Sequence, residues 1–276
     1  MTSSPRAKRF NWNDLGVRVL SAVVLIPAAV LAVAQGGWLF LLLISVGAAL
    51  LSIEWGLMSA PKAPSRIAIA VTLGVLTAVF AGYLGDFSAA FVLLVFGAAA
   101  AGLYARRLGA SAIDAAYGVL YIGWPCVVLV WLRGQEPDGR AWTILLFTVA
   151  WASDIAAYVV GNTFKGPKLW PRFSPNKTWS GFVGGLLAGM AAAAVTVTFV
   201  DTGLSPALAA VIGLAGALAT MGGDLWESAL KRRFGVKDAG HLIPGHGGLM
   251  DRVDGLMFAV VALAAARLIV TFGGLA

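Results

Sequence analysis

Apolar runs of roughly 20 residues recur along this chain from one end to the other. They fall at about 17–35, 38–58, 67–85, 88–105, 113–132, 142–161, 179–200, 205–224 and 254–273. A run of that length, wound as a helix, reaches across the hydrocarbon core of a bilayer. The competing reading, a large soluble helical protein, requires a polar stripe along each helix that these runs lack. Composition agrees, with 59% hydrophobic and only 12% charged residues, where a soluble domain carries about 25% charged. The expected fold class is therefore all-α: a polytopic integral membrane protein of about nine transmembrane helices, forming a single membrane domain over residues 1–276.

The basic residues orient such a bundle, because cytoplasmic loops are rich in Lys and Arg. With the N-terminus inside, 17 of the 20 basic residues fall on the inner side and only Arg133, Arg140 and Arg267 on the outer. The outer connections carry Asp86, Glu136, Asp138 and Asp201 instead. This places the N-terminus in the cytoplasm and the C-terminus outside. The net charge of +7 then reflects topology and attraction to anionic lipid, not nucleic-acid binding. The basic N-terminus lacks a small-residue cleavage site after a short apolar core, which reads as a first anchor helix and not a removable signal peptide. Cys126, the single cysteine, reads as an inert core residue.

Two inner connections are long and polar, 162–178 and 225–253. Both lie in the C-terminal half, 141–276, which is expected to hold the chemistry, while the N-terminal helical half, 1–140, is expected to supply scaffold and lipid contact. In the first half, Glu54 and Asp114 lie near inner helix ends, where reaching water is easy. Gly181, Gly185 and Gly189 recur every four residues and should let another helix approach closely. Trp38, Trp131 and Trp142 near one interface, and Trp170, Trp179 and Trp226 near the other, fit an aromatic belt.

The chemistry concentrates in residues 224–254, which hold ten charged side chains and both histidines. Asp224, Ser228 and Lys231 are spaced i, i+4, i+7, so they share one face if the helix continues through them. Asp251 and Asp254, spaced i, i+3, share a face at the start of the last helix. A carboxylate at a helix N-terminus is favourable in itself, which alone accounts for Asp254. Three acids converging at one membrane level, however, repel unless a cation lies between them. Hard oxygen ligands without Cys or clustered His point to magnesium rather than zinc, with Asp224 and Asp251 as first candidates and Asp254 after them. Lys231 and Lys237 are placed to meet phosphates, whereas Arg233 reads as topology signal only. Gly245, Gly247 and Gly248, around His246, either form a bare turn or offer backbone N–H groups to anionic oxygens.

A second group lies in the other long inner connection. Asp154 and Tyr158 sit one helical turn apart, and an aspartate inside a membrane helix is a functional candidate, with a structural hydrogen bond as the alternative. Ser174, Asn176, Lys177 and Thr178 precede the next helix. Their polar side chains and its free N–H groups suit a phosphate.

The stretch Ser228-x-Leu230-Lys231-Arg232-x4-Lys237-Asp238-x-Gly240-x2-Ile243-Pro244-x-His246-Gly247-Gly248-Leu249-x-Asp251-Arg252-Val253-Asp254 resembles the signature of the phosphatidate cytidylyltransferases, also called CDP-diacylglycerol synthases. Ser174–Thr178 and the Asp154, Tyr158, Gly161 pattern resemble the same family; the N-terminal half does so only in general character. The resemblance implies a magnesium-dependent nucleotidyltransferase of phospholipid biosynthesis, joining CTP to phosphatidic acid to give CDP-diacylglycerol and pyrophosphate. It carries the metal and catalytic positions onto Asp224, Ser228, Lys231 and Asp251, with Ser174 and Lys177 in the second motif, and leaves open a second metal or a monovalent cation. Asp254 joins Asp224 and Asp251 as a metal candidate from its placement. Substrate contacts are expected at Asp154, Tyr158, Ser174, Asn176, Lys177, Thr178, Arg232, Lys237, Asp238, His246, Gly247, Gly248 and Arg252. A homodimer follows from the same resemblance, while the apolar runs and the inner placement of both polar connections give the expected location, a multi-pass protein of the cell membrane with its site facing the cytoplasm. The alternatives are another membrane lipid phosphotransferase, whose Asp-Gly-x2-Ala-Arg pattern is absent, and an ion-coupled transporter, which usually sets its charges at mid-membrane.

Overall fold

The computed structural model describes Val23 and residues 27–240, 242 and 247–274. Its helices are α1 (Gly37–Ser59), α2 (Pro64–Tyr83), α3 (Phe87–Arg107), α4 (Ala112–Gly134), α5 (Gly139–Phe164), α6 (Trp179–Thr196), α7 (Pro206–Arg233) and α8 (Met250–Gly273). All eight are long and apolar enough to cross a bilayer. The expected first span, 17–35, lies largely outside the described residues, and its last part, 27–35, is helical. The all-α class holds. One unexpected exception is an antiparallel hairpin of β1 (Lys168–Trp170) and β2 (Ser174–Thr178) inside the 162–178 connection, in which Lys168 faces Thr178 and Trp170 faces Ser174.

Local signals start the helices where hydropathy changes. The Asp86, Ser111, Thr178 and Ser205 side chains each accept the backbone N–H three residues on, at the first turns of α3, α4, α6 and α7. Each such cap satisfies one orphan amide. Pro64 and Pro206 occupy first-turn positions where a missing N–H costs nothing. Helix α7 does not stop at the membrane edge implied by hydropathy. It runs on to Arg233, so much of the polar stretch 225–253 is helix.

Helix α4 is the centre of the bundle, packed against α1, α2, α3, α5 and α8. Helices α5 to α8 then pack in chain order, α5 on α6, α6 on α7 and α7 on α8. The outward faces carry Leu73, Val95, Phe96, Ile155 and Phe199, all more than half exposed, a surface suited to lipid and not to water. Helices in lipid associate through close packing of small residues, and the four-residue glycine repeat of α6 behaves as its spacing suggests. A Cβ at Gly181 would lie 2.6 Å from the Ala157 carbonyl oxygen, and one at Gly185 2.9 Å from that of Ser153. These glycines seat α6 directly on the backbone of α5.

Three readings of the sequence need correction. Trp142 belongs to no belt: it is 1% exposed and packs beside Arg267, whose guanidinium sits 5.9 Å from its ring and pairs with Asp138 at 2.5 Å. Glu54 does not reach toward water; it is completely buried. Arg233 is more than a topology signal, because it binds Asp114 at 2.5 Å at the inner helix end expected for that aspartate. Hydropathy could not show any of these, since each depends on a partner more than 100 residues away in sequence.

Candidate active site

Helices α7 and α8 form an antiparallel pair whose ends carry the charged residues. Their crossing is close because glycine faces backbone on both sides. A Cβ on Gly223 would sit 2.4 Å from the Asp254 carbonyl oxygen, and one on Gly255 3.0 Å from Asp224 Oδ1. Asp224 and the first turn of α8 are therefore held together by main-chain contact.

Along α7 the residues Asp224, Glu227, Ser228 and Lys231 face α8, as a 3.6-residue period requires. Lys231 Nζ lies 2.5 Å from Glu227 Oε2 and 2.5 Å from Asp251 Oδ1, tying the end of α7 to the start of α8. Asp251 Oδ2 also accepts the Ala239 N–H at 3.2 Å. One layer deeper, Lys177 at the end of β2 pairs with Asp224 Oδ2. Asp154 on α5 and Asp254 on α8 lie near enough to Asp224 to feel its charge. Asp254 Oδ1 accepts the N–H of Gly255 at 2.9 Å.

The structure thus arranges the expected acids in two layers. Asp251 meets Lys231, and Asp224 meets Lys177. Lys231 follows Asp224 by seven residues, a rise of about 10 Å along the helix. The neighbour of Asp224 on α8 is Asp254 rather than Asp251. Among the described residues no three acids, histidines or cysteines close into a metal cage, and the two ammonium groups sit between the carboxylates.

The other expected residues distribute unevenly. Ser228 is half-buried on the shared face of α7, and Ser174 is half-buried on β2. Thr178 is committed to its helix, its Oγ1 accepting the Gly181 N–H at 3.2 Å. Asp154, Tyr158, Asn176, Arg232, Lys237, Asp238 and Arg252 are exposed. Gly247 adopts a positive φ of 86°, a conformation that glycine takes without strain. Gly248 lies against Asp251: a Cβ there would meet Asp251 Oδ2 at 2.7 Å. His246 lies outside the described residues.

Three side chains escaped the reading of the sequence. Glu227 is 1% exposed and shares Lys231 with Asp251; its i, i+4 spacing to Lys231 was the available signal. Tyr121 on α4 is 7% exposed, and its hydroxyl has no hydrogen-bond partner among the described residues. It faces the charges of Glu227, Asp254 and Asp224. Glu54 on α1 accepts the N–H of Leu249 at 2.8 Å and of Met250 at 2.7 Å, and so caps α8 from a helix nearly 200 residues earlier in the chain.

Six carboxylates, Glu54, Asp154, Asp224, Glu227, Asp251 and Asp254, therefore share this end of the bundle, with Lys177 and Lys231 bonded among them. Of these, Asp224 and Asp254 stand together near the unpartnered buried hydroxyl of Tyr121, hard oxygen donors of the kind a magnesium-type cation takes.

A sequence profile of the cytidylyltransferase family matches residues 16–270. Among curated proteins, the phosphatidate cytidylyltransferase of Brucella suis biovar 1 is 46% identical over 164 residues, covering 58% of this chain and 57% of the relative. That of Staphylococcus saprophyticus is 39% identical over 153 residues, 55% of this chain and 59% of the relative. That of Mycobacterium bovis is 37% identical over 166 residues, 60% of this chain and 52% of the relative. The matched part of the chain spans little more than half the length of these relatives.

Proposed function

The chain belongs to the cytidylyltransferase family, and from that premise we propose that it transfers CMP from CTP to phosphatidic acid, giving CDP-diacylglycerol and pyrophosphate. The observation that carries this reading is the pair of lysine–carboxylate layers, Lys177 with Asp224 and Lys231 with Asp251, at one end of a membrane-spanning bundle. An acid–base array at that level can grip phosphates while the acyl chains of a lipid stay among the helices.

The chemistry asks little of a general base. A phosphate monoester has a second pKa of about 6, so phosphatidic acid reaches the site largely as its dianion. One of its oxygens attacks the α-phosphorus of CTP and forms a new P–O bond. The bond from that phosphorus to the oxygen bridging to the β-phosphate breaks, and pyrophosphate leaves with the electron pair. The protein must align the two phosphates in line and neutralise charge that grows on the leaving group. Lys177 and Lys231 do this by turning their ammonium groups from carboxylate to phosphate oxygens, with Lys237 at the exposed turn adding a third positive charge. Ser174 and Ser228 offer hydroxyl donors, and Thr178 holds the start of α6 rigid behind Lys177.

Magnesium would be held in the deeper layer by Asp224 and Asp254, whereas Asp251, the third expected ligand, lies in the other layer bonded to Lys231 and the Ala239 N–H; the ion would supply charge neutralisation to the nucleotide phosphates. Six acids otherwise repel a triphosphate, so lysines alone leave the site short of positive charge. The site faces the cytoplasm of a cell membrane in this reading, supported by the 17 to 3 division of basic residues. Two of the three outer arginines have structural employment: Arg133 donates to the Val33 carbonyl at 2.8 Å and Arg267 pairs with Asp138. A homodimer rests on the resemblance alone.

The test is purified protein in detergent, given cytosine-labelled CTP, phosphatidic acid and magnesium. Label entering the lipid phase supports the reading, provided that Asp251→Asn, still folded, loses it. Absence of lipid label across a range of divalent cations and lipid concentrations contradicts it.

A further inference from the structure

We infer that Glu54, on α1 in the N-terminal half, is a positioning residue for the site: it fixes Asp251 by clamping the N-terminus of α8. The inference rests on the functional reading above and extends the working part of the protein into a half expected to be scaffold.

A carboxylate that is completely buried in a membrane protein needs strong partners. Glu54 finds them in backbone. Its Oε1 accepts the Leu249 N–H and its Oε2 the Met250 N–H. No side chain of its own caps α8, so this distant carboxylate takes the place of a local cap. It fills two amides that an uncapped helix start would leave without a partner.

The packing around it transmits position to Asp251. Gly248 is wedged between two carboxylates: a Cβ there would sit 2.7 Å from Asp251 Oδ2 and 3.1 Å from Glu54 Oε1. Gly240 closes the other side, where a Cβ would meet Glu54 Oε1 at 2.8 Å. Glu54, Gly240, Gly248 and Asp251 form a stack with no room for a side chain at either glycine. The first turn of α8 carries Asp251 directly after Met250. Movement of the clamp therefore moves the acid that binds Lys231, and through Lys231 the end of α7.

A role in stability alone and a role in positioning give different results. The test compares wild type with Glu54→Gln and Glu54→Ala in detergent, reading kcat, the KM for phosphatidic acid, and hydrogen exchange of the segment containing Leu249 and Met250. Glu54→Gln keeps one acceptor and loses the charge; Glu54→Ala loses both. An error of about 1 Å in a reacting group can cost about 100-fold in rate. The expected result is a loss of kcat of that order for Glu54→Ala and a smaller one for Glu54→Gln. The KM for phosphatidic acid should stay within about twofold, and exchange at 249–250 should quicken in the same order. Gly240→Ala, which keeps the charge but pushes on Oε1, should show the same pattern, and it decides the matter if the Glu54 variants do not fold. Variants that fold and turn over like wild type, or a Gly240→Ala protein with unchanged kcat and exchange, overturn the inference. An inactive wild type with protected amides at 249–250 contradicts the functional reading and not the clamp.

Discussion

Two adjacent glycines on α7 make a matched pair for asking whether the α7–α8 contact sets the site. Gly223 faces α8, where an added Cβ would find the Asp254 oxygen at 2.4 Å, the Gly255 Cα at 3.0 Å and the Asp254 carbonyl carbon at 3.1 Å. All three are backbone atoms and cannot rotate aside. Ordinary contact begins near 3.4 Å, so the helices must part by about 1 Å at the residue before Asp224. Overpacking of this kind costs about 1–3 kcal/mol in stability. A shift of about 1 Å at a reacting group costs about 100-fold in turnover, equal to about 2.7 kcal/mol of barrier. Gly222 points away from the bundle, with nothing within 4 Å of the same added atom. Gly223→Ala should then lower the melting temperature measured by tryptophan fluorescence in detergent and cut CTP-dependent lipid labelling about 100-fold. Gly222→Ala should leave both close to wild type. Equal activity in the two variants, or equal damage, would refute the argument that main-chain contact between α7 and α8 positions the carboxylates.

Other perturbations separate site from scaffold. Lys231→Met leaves Glu227, 1% exposed, and Asp251 without their shared cation; removing one partner of a buried pair costs about 3–5 kcal/mol, so both melting temperature and turnover should fall sharply. Lys177→Met touches a more exposed pair, whose side chains are 29% and 21% accessible, and should reduce turnover far more than melting temperature; a protein equally impaired in both would argue for a structural role. The Asp114–Arg233 pair has an arginine that is 53% exposed. A double-mutant cycle there should give at most about 1 kcal/mol, with lipid labelling unchanged.

The range of each interaction decides whether the sequence alone reveals it. The spans were readable because lipid imposes one length and one polarity on every helix, and α1 to α8 follow it. The shared face of Asp224, Ser228 and Lys231 was readable because helical period is local. Glu54 was not, because a lone acid near a helix end looks the same whether it meets water or the amides of Leu249 and Met250. Nor did spacing reveal that Asp254, and not Asp251, stands beside Asp224. That order depends on the crossing at Gly223 and Gly255, where α7 and α8 run in opposite directions and each residue further along one meets an earlier residue of the other. The hairpin at 168–178 was hidden for a different reason: its strands are only three and five residues long, too short to set up a recognisable alternating pattern.

The central claim is nucleotidyl transfer at the Lys177–Asp224 and Lys231–Asp251 layers, and position-specific label in CTP measures it directly. With phosphatidic acid and magnesium, label at the α-phosphate should enter the lipid, one for each pyrophosphate released, while label at the γ-phosphate stays in water as pyrophosphate. Lipid that acquires the γ-label, or pyrophosphate released without lipid gaining the α-label, would contradict the account.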